Sequence, residues 1–190
     1  MAQFPEEQSK SGEFKRQEDA FRDWVKRDGS TPYKPERNRY HLYVSLACPW
    51  AHRTIILRKL KGLEETIGMS VVDPVRDERG WAFRDGTGHS ADPVNGFQFL
   101  SEAYHATDPN YRGRFTVPVF WDKQSKRIVS NSDDDLLRML NSEFNEFATN
   151  EYDFVPADLR DEIDQMNRVV YERVNNGVYR AGFATAQRPY

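Results

Sequence analysis

Cys48 is the only cysteine among the 190 residues, and its neighbours place it where a thiol becomes reactive. The apolar run Tyr40-His41-Leu42-Tyr43-Val44-Ser45-Leu46-Ala47 reads as a buried strand. Pro49 follows Cys48, and Trp50 to Leu60 reads as a helix. Proline suits the first helical position because the N–H it lacks would find no partner there. Cys48 is therefore expected at the N-cap, its sulfur facing unpaired backbone N–H groups and the positive end of the helix dipole. That setting favours the thiolate, which is the nucleophile. The alternative is a buried structural cysteine. Position 51 is Ala, so the segment reads Cys-Pro-Trp-Ala and the chain holds no resolving thiol. Redox or transfer chemistry at Cys48 would draw its second sulfur from a small-molecule thiol.

The elements around Cys48 follow from pattern. Residues 1–39 are a charged lead-in, in which Phe14, Phe21, Trp24 and Val25 predict a short helix. Asp28-Gly29-Ser30-Thr31-Pro32 breaks it. Gly62 closes the helix after Cys48, and Met69 to Val75 reads as a second buried strand. Strand, helix, strand at this spacing is a βαβ unit with parallel strands. Gly86 to Pro93 is a loop, Phe97 to Tyr104 a short helix, and Asp108-Pro109-Asn110 a turn. Val117 to Asp122 and Arg127 to Ser130 then form an antiparallel hairpin. Ser132 and Asp135 have the spacing of a capping box, and they open a helix carrying Leu136, Leu137, Met139 and Leu140.

The reading is an α/β thioredoxin-like domain over residues 40–142, of order βαβ–ββα. A linker over 143–157 follows, and 158–190 is the start of an all-helical domain. In that last part Leu159, Ile163, Met166, Val169, Val170 and Val174 mark one helical face. Asn175-Asn176-Gly177 is a stop signal, with a further helix expected near Phe183. The helical part is too small to close a core alone, so the chain is expected to be a truncated form of a longer one.

Bulk composition narrows the class. Hydrophobic residues make 38% and charged residues 30%, with a net charge of −3. Nothing in that balance points to nucleic acid or an anionic membrane as partner. No stretch approaches the ~18–20 apolar residues of a membrane span, and the N-terminus lacks the apolar core of a signal peptide. One free cysteine suits a reducing compartment, so the cytoplasm is the expected location. Cys48, His41, His52, His89 and His105 make no recognisable metal-ligand spacing, and no metal is expected.

Several segments sharpen the picture. Arg39 to Arg53, containing Leu46-Ala47-Cys48-Pro49-Trp50-Ala51-His52-Arg53, resembles the signature of the Xi-class glutathione transferases, also called glutathionyl-hydroquinone reductases. Asp28-Gly29-Ser30, Arg79-Gly80-Trp81, Thr116-Val117-Pro118-Val119 and Asn175 to Ala184 are similar to the same family, in the same order. The resemblance implies a dimer in the full-length form, with glutathione as co-substrate and a quinone-type second substrate. It implies that the cysteine cleaves a glutathione–hydroquinone thioether, passing through a mixed disulfide that a second glutathione resolves.

The resemblance also suggests roles. Cys48 is the nucleophile. Val117, before a cis Pro118, offers its backbone to the cysteinyl part of the thiol, although Pro118 alone could mark an edge strand. Trp81 flanks the thiol, or is a core plug. Tyr179 lies near the quinone and helps to protonate the leaving carbon, or packs at a domain junction. Arg53 and His52 could tune the sulfur, or be ordinary solvated residues. Where the family has Glu-Ser for the γ-glutamyl group, this chain has Ser132-Asp133. These two either bind the thiol or merely cap the helix. The departure raises another low-molecular-weight thiol, such as mycothiol, as an alternative to glutathione. Two rival functions remain: a glutaredoxin-like deglutathionylase or dehydroascorbate reductase, and a non-catalytic thiol-binding protein.

Overall fold

A computed structural model describes residues 7–190. The described residues divide into two compact units, residues 19–154 and residues 155–190 with residues 7–18.

The larger unit is built on a four-stranded sheet of order β2-β1-β3-β4. Its strands are β1 (Tyr40–Val44), β2 (Gly68–Val71), β3 (Val119–Asp122) and β4 (Arg127–Ser130). β1 and β2 are parallel, joined through helix α1 (Pro49–Leu60), as the βαβ spacing predicted. β3 is antiparallel to β1, and β4 antiparallel to β3. This is the thioredoxin-like arrangement. β1 is buried at every position, because side chains on both of its faces meet apolar layers. Tyr40 stacks on Phe120 at 4.9 Å between ring centroids, and Tyr43 meets Phe83 edge-on at 5.0 Å.

Helix α1 ends as its sequence requires. Lys61 caps it, and Gly62 turns left-handed at φ +63°. Only glycine fits there comfortably, since a Cβ would run into the side chain of Thr149. Helix α2 (Leu100–Thr107) starts three residues later than predicted. Glu102 reaches back to the N–H groups of Gln98 and Phe99 and fixes that start. Helix α3 (Asp133–Ser142) begins where expected, with the Ser132 hydroxyl accepting from the Asp135 N–H at 3.4 Å. The capping box is only half made, because the Asp135 carboxylate is taken by Arg22 through two 2.7 Å bonds.

The predicted lead-in helix does not form. Phe21 to Val25 is extended: Arg22 bridges Ser130, Val25 bridges Tyr33, and the Asp23 N–H donates to the Val129 carbonyl. Unpaired backbone groups along β4 recruit the segment, and edge pairing overrides a weak helical pattern.

The smaller unit contains helix α4 (Arg160–Val170), a π-helical turn (Tyr171–Asn175) and helix α5 (Asn176–Phe183). The expected stop at Asn175-Asn176-Gly177 is overridden. The helix runs through it by widening one turn, and it ends at Phe183, where a new helix had been expected. Phe14 packs here on Tyr179 and Phe183, and the Gln8 side chain donates to the Phe183 carbonyl at 2.7 Å. The apolar residues Met166, Val169, Val174 and Val178 are exposed. Among the described residues, no helix is long and apolar enough to cross a membrane.

Candidate functional site

Sheet topology decides what meets at one edge. β4 is antiparallel to β3, which is antiparallel to β1, so β1 and β4 run the same way. Their C-terminal ends therefore lie at the same edge of the sheet. β1 leads into α1 there, β4 leads into α3 there, and the two helices pack against each other. β3 enters from that edge, with Val119 opposite Tyr43. Three segments with little sequence in common are brought together: Cys48, Val117-Pro118 and Ser132-Asp133.

Cys48 is the N-cap residue of α1, with Pro49 at the first helical position and extended backbone angles, but its side chain makes no cap hydrogen bond to the N–H groups it was expected to face. It is half-buried and in the reduced, unbridged form. Its thiol donates to the Val117 carbonyl at 3.5 Å, an ordinary distance for a weak sulfur donor. The Val117–Pro118 peptide bond is cis, and both residues are buried. The first turn of α1 contains no acidic side chain.

The loop that presents Val117 is held by a network that the sequence did not reveal. The phenol of fully buried Tyr104 donates to the Thr116 carbonyl at 2.9 Å and accepts from the Thr116 N–H at 3.1 Å. Burial pushes that phenol well above the ordinary tyrosine range. The Asn131 side-chain amide donates to the Thr116 hydroxyl at 3.2 Å and to the Tyr104 phenol at 3.3 Å. Its carbonyl oxygen accepts from the Phe21 N–H at 2.9 Å. Asn131 thus ties together the extended lead-in, the Val117 loop and the start of α3. One cue was present: a polar residue between the buried strand and the helix cap.

At α3, Ser132 and Asp133 are both buried. Asp133 accepts from the Arg53 guanidinium, which also reaches Asp134 at 3.4 Å. Loss of water raises the Asp133 carboxyl from 3.8 to about 6, and Arg53 only partly offsets this. The pair is lopsided: the Asp133 side chain is 10% exposed and Arg53 37%, so solvent screens the cation more than the anion. Arg53 is an ion-pair partner of α3, and His52 points into solvent.

Trp81 is fixed by a different set of contacts. It is half-buried in the connection after β2, its carbonyl accepts from Leu100, and the Arg76 guanidinium lies 5.7 Å over its ring. Tyr179 belongs to the smaller unit, where the Arg16 guanidinium lies 4.2 Å over its ring. Among the described residues, no group of three or more His, Cys, Asp or Glu side chains is arranged to hold a metal.

The fold, with a thiol at the start of α1, defines a thioredoxin-like domain of the glutathione transferase type. Residues 47–143 match the family described as Glutathione S-transferase, N-terminal domain. The chain is 48% identical over 189 residues to the glutathionyl-hydroquinone reductase YqjG of Escherichia coli, covering 96% of this chain and 58% of that protein. It superposes on the glutathione S-transferase Xi of Phanerochaete chrysosporium with a TM-score of 0.89 at 45% identity, covering 93% of this chain and 61% of that one. On the glutathione-bound structure of YqjG the TM-score is 0.85, covering 90% and 58%. The chain belongs to the glutathione transferase family and, within it, to the Xi class of glutathionyl-hydroquinone reductases. It spans about three-fifths of the length of these relatives.

Proposed function

We propose that this chain carries the thiol-handling half of a reductase that cleaves glutathionyl-hydroquinones, or closely related thiol–quinone adducts. The carrying observation is the placement of the lone cysteine. Cys48 stands at the N-cap position of a helix with no acidic side chain in its first turn, and its thiol contacts the Val117 carbonyl. The bacterial relative named for this activity and its glutathione-bound structure support the reading.

In this reading the Cys48 thiolate attacks the glutathione sulfur of the adduct. The carbon–sulfur bond breaks, its electron pair goes to the ring carbon, and that carbon takes up a proton. The products are free hydroquinone and a Cys48–glutathione disulfide. A second thiolate attacks the glutathione sulfur of that disulfide, releasing oxidised glutathione and restoring Cys48. The ring carbon is reduced, and the thioether sulfur of the adduct and the sulfur of one thiol are oxidised to a disulfide. With one cysteine in the chain, resolution must come from outside.

Backbone groups beside Pro118 suit the cysteinyl part of the thiol, as an added strand would pair. Ser132 and Asp133 are assigned to its far end, and Trp81 to its flank. Tyr179 is assigned the proton delivery to the ring, which Tyr179→Phe tests by slowing the first step, in which hydroquinone and the Cys48 disulfide form together, with resolution by the second thiol intact.

The deciding experiment replaces Cys48 with Ser in the full chain. Turnover of a glutathionyl-hydroquinone is expected to vanish while circular dichroism is unchanged, and the wild-type protein is expected to gain the mass of one thiol at Cys48. Retained turnover in the variant overturns the reading. Comparing rates on a glutathionyl-hydroquinone and on a glutathionylated peptide separates the reductase from a glutaredoxin-like deglutathionylase.

A further inference from the structure

In the smaller unit, residues 7–16 form a clip on helix α5. Gln8 bridges Phe14, the Lys15 N–H donates to the Glu7 carbonyl at 2.7 Å, and Gly12 turns the chain left-handed at φ +81°. That turn lies against the chain just past α5: the Gly12 carbonyl accepts from the Thr185 N–H at 2.9 Å, and a Cβ on Gly12 would stand 2.7 Å from the Ala186 side chain. At the other end of the clip, Arg16 reaches α5 twice. Its Nε donates to the Asn176 side-chain carbonyl at 2.7 Å, and its guanidinium lies 4.2 Å over the Tyr179 ring. Buried Phe14 packs on the same ring, with 6.1 Å between centroids.

The helix is built to present these residues to the clip. Asn176, Tyr179 and Phe183 are spaced three and four apart, which puts them on one face. The π-helical turn over Tyr171–Asn175 directly precedes them. Such a turn holds one residue more than an α-helical turn, so it rotates everything after it by about 100°. An unbroken α-helix from Arg160 would carry Tyr179 on a different side from the one that meets Phe14 and Arg16. Turns of this kind are rare and recur at functional sites. The consequence of this one is to bring a single phenol under a single guanidinium.

We propose that Arg16 is the positioning residue of Tyr179: it fixes the ring from the clip and attracts the negative charge that develops when the phenol gives up its proton. The proposal rests on the assignment of Tyr179 as proton donor to the substrate ring. As the carbon–sulfur bond of the adduct breaks, its electron pair goes to the ring carbon. The Tyr179 O–H bond breaks, its proton joins that carbon, and the phenolate left behind recovers a proton from solvent. A guanidinium already seated over the tyrosine ring meets this charge without rearranging. The planar fork of arginine suits the task, because it donates to Asn176 in its own plane while its flat face covers the ring. Arg16 acts through Tyr179 and is given no contact with the reacting atoms.

The test follows the two steps separately in the full chain. A single turnover of a glutathionyl-hydroquinone without a second thiol reports the first step as hydroquinone release. Glutathione added to the Cys48 disulfide reports the second. Arg16→Gln is expected to slow the first step about tenfold and to leave the second at the wild-type rate. Tyr179→Phe alone is expected to slow the first step about a hundredfold, and adding Arg16→Gln to it to change that rate by less than about twofold. Should Arg16→Gln fail to fold, Asn176→Leu removes the anchor of the guanidinium instead and is expected to give the same pattern at about threefold. A first step at the wild-type rate, equal slowing of both steps, or a loss as large without the Tyr179 hydroxyl as with it overturns the proposal. A wild-type first step in Tyr179→Phe itself overturns the Tyr179 assignment and the proposal with it, and that single variant shows this without any change at Arg16.

Discussion

Asp133→Asn is expected to stabilise the protein near pH 8 and to change nothing near pH 4. The Asp133 carboxyl titrates at about 6 in the folded chain against an ordinary 3.8, chiefly because burial strips it of water. The folded state therefore holds this proton more tightly than the unfolded state. Stability from this group is complete at low pH and is lost as pH rises through about 6. Ionising the carboxyl in place costs the fold up to about 3 kcal/mol at high pH, at 1.36 kcal/mol for each tenfold change. The amide keeps the shape, still accepts from Arg53 and never ionises. It gives up a charge-assisted bond, so the net gain at about pH 8 is about 1–3 kcal/mol. Arg53 is not stranded, because Asp134 lies 3.4 Å away. Urea unfolding of both proteins at about pH 4 and about pH 8 measures the difference. A variant that is less stable at the higher pH, or equally shifted at both, refutes the reasoning, since the ion pair would then outweigh the loss of hydration.

Two other perturbations follow from the same geometry. Tyr104→Phe removes the hydroxyl that satisfies both backbone groups of Thr116; it is expected to cost about 2–3 kcal/mol and, by loosening the Val117 loop, to raise the KM for the thiol more than it lowers kcat. Asp122→Ala removes the carboxylate that grips Arg39 at 2.9 Å through two nitrogens and leaves Glu36, at 2.7 Å, as the ion-pair partner of Arg39. The expected loss is about 1–3 kcal/mol in thermal or urea unfolding, because the guanidinium keeps one carboxylate.

The parts of the fold set by local chemistry were legible in the sequence. Pro49 fixed the start of α1 through its missing N–H, Gly62 fixed the end through its positive φ, and Ser132 fixed the start of α3. The parallel β1–β2 pair followed from the length of the crossover between them. The lead-in and the Asn175–Gly177 segment were not legible, because competing partners decided both. Phe21 to Val25 had a helical apolar pattern, yet the free edge of β4 offered it backbone hydrogen bonds. Asn175-Asn176-Gly177 has weak helix propensity, yet the chain carries it within a π-helical turn and the start of α5. Within the smaller unit Arg16 donates to the Asn176 side-chain carbonyl at 2.7 Å. At the candidate site, Cys48 was evident as a lone thiol before proline. Tyr104, Thr116 and Asn131 were not, because their link is tertiary and spans 27 residues between Tyr104 and Asn131.

The two helix starts at the candidate site differ in charge: the first turn of α1 contains no acidic side chain, whereas that of α3 has Asp133, Asp134 and Asp135. In the proposed function Cys48 must react as a thiolate, and an acid in the first turn of α1 would oppose that directly. The acids of α3 are partly offset by their own guanidiniums, Arg53 at Asp133 and Arg22 at Asp135. Asp133→Asn is therefore expected to leave alkylation of Cys48 by a neutral reagent such as iodoacetamide at nearly the wild-type rate. A large change in that rate would show that the two helix starts act as one electrostatic unit.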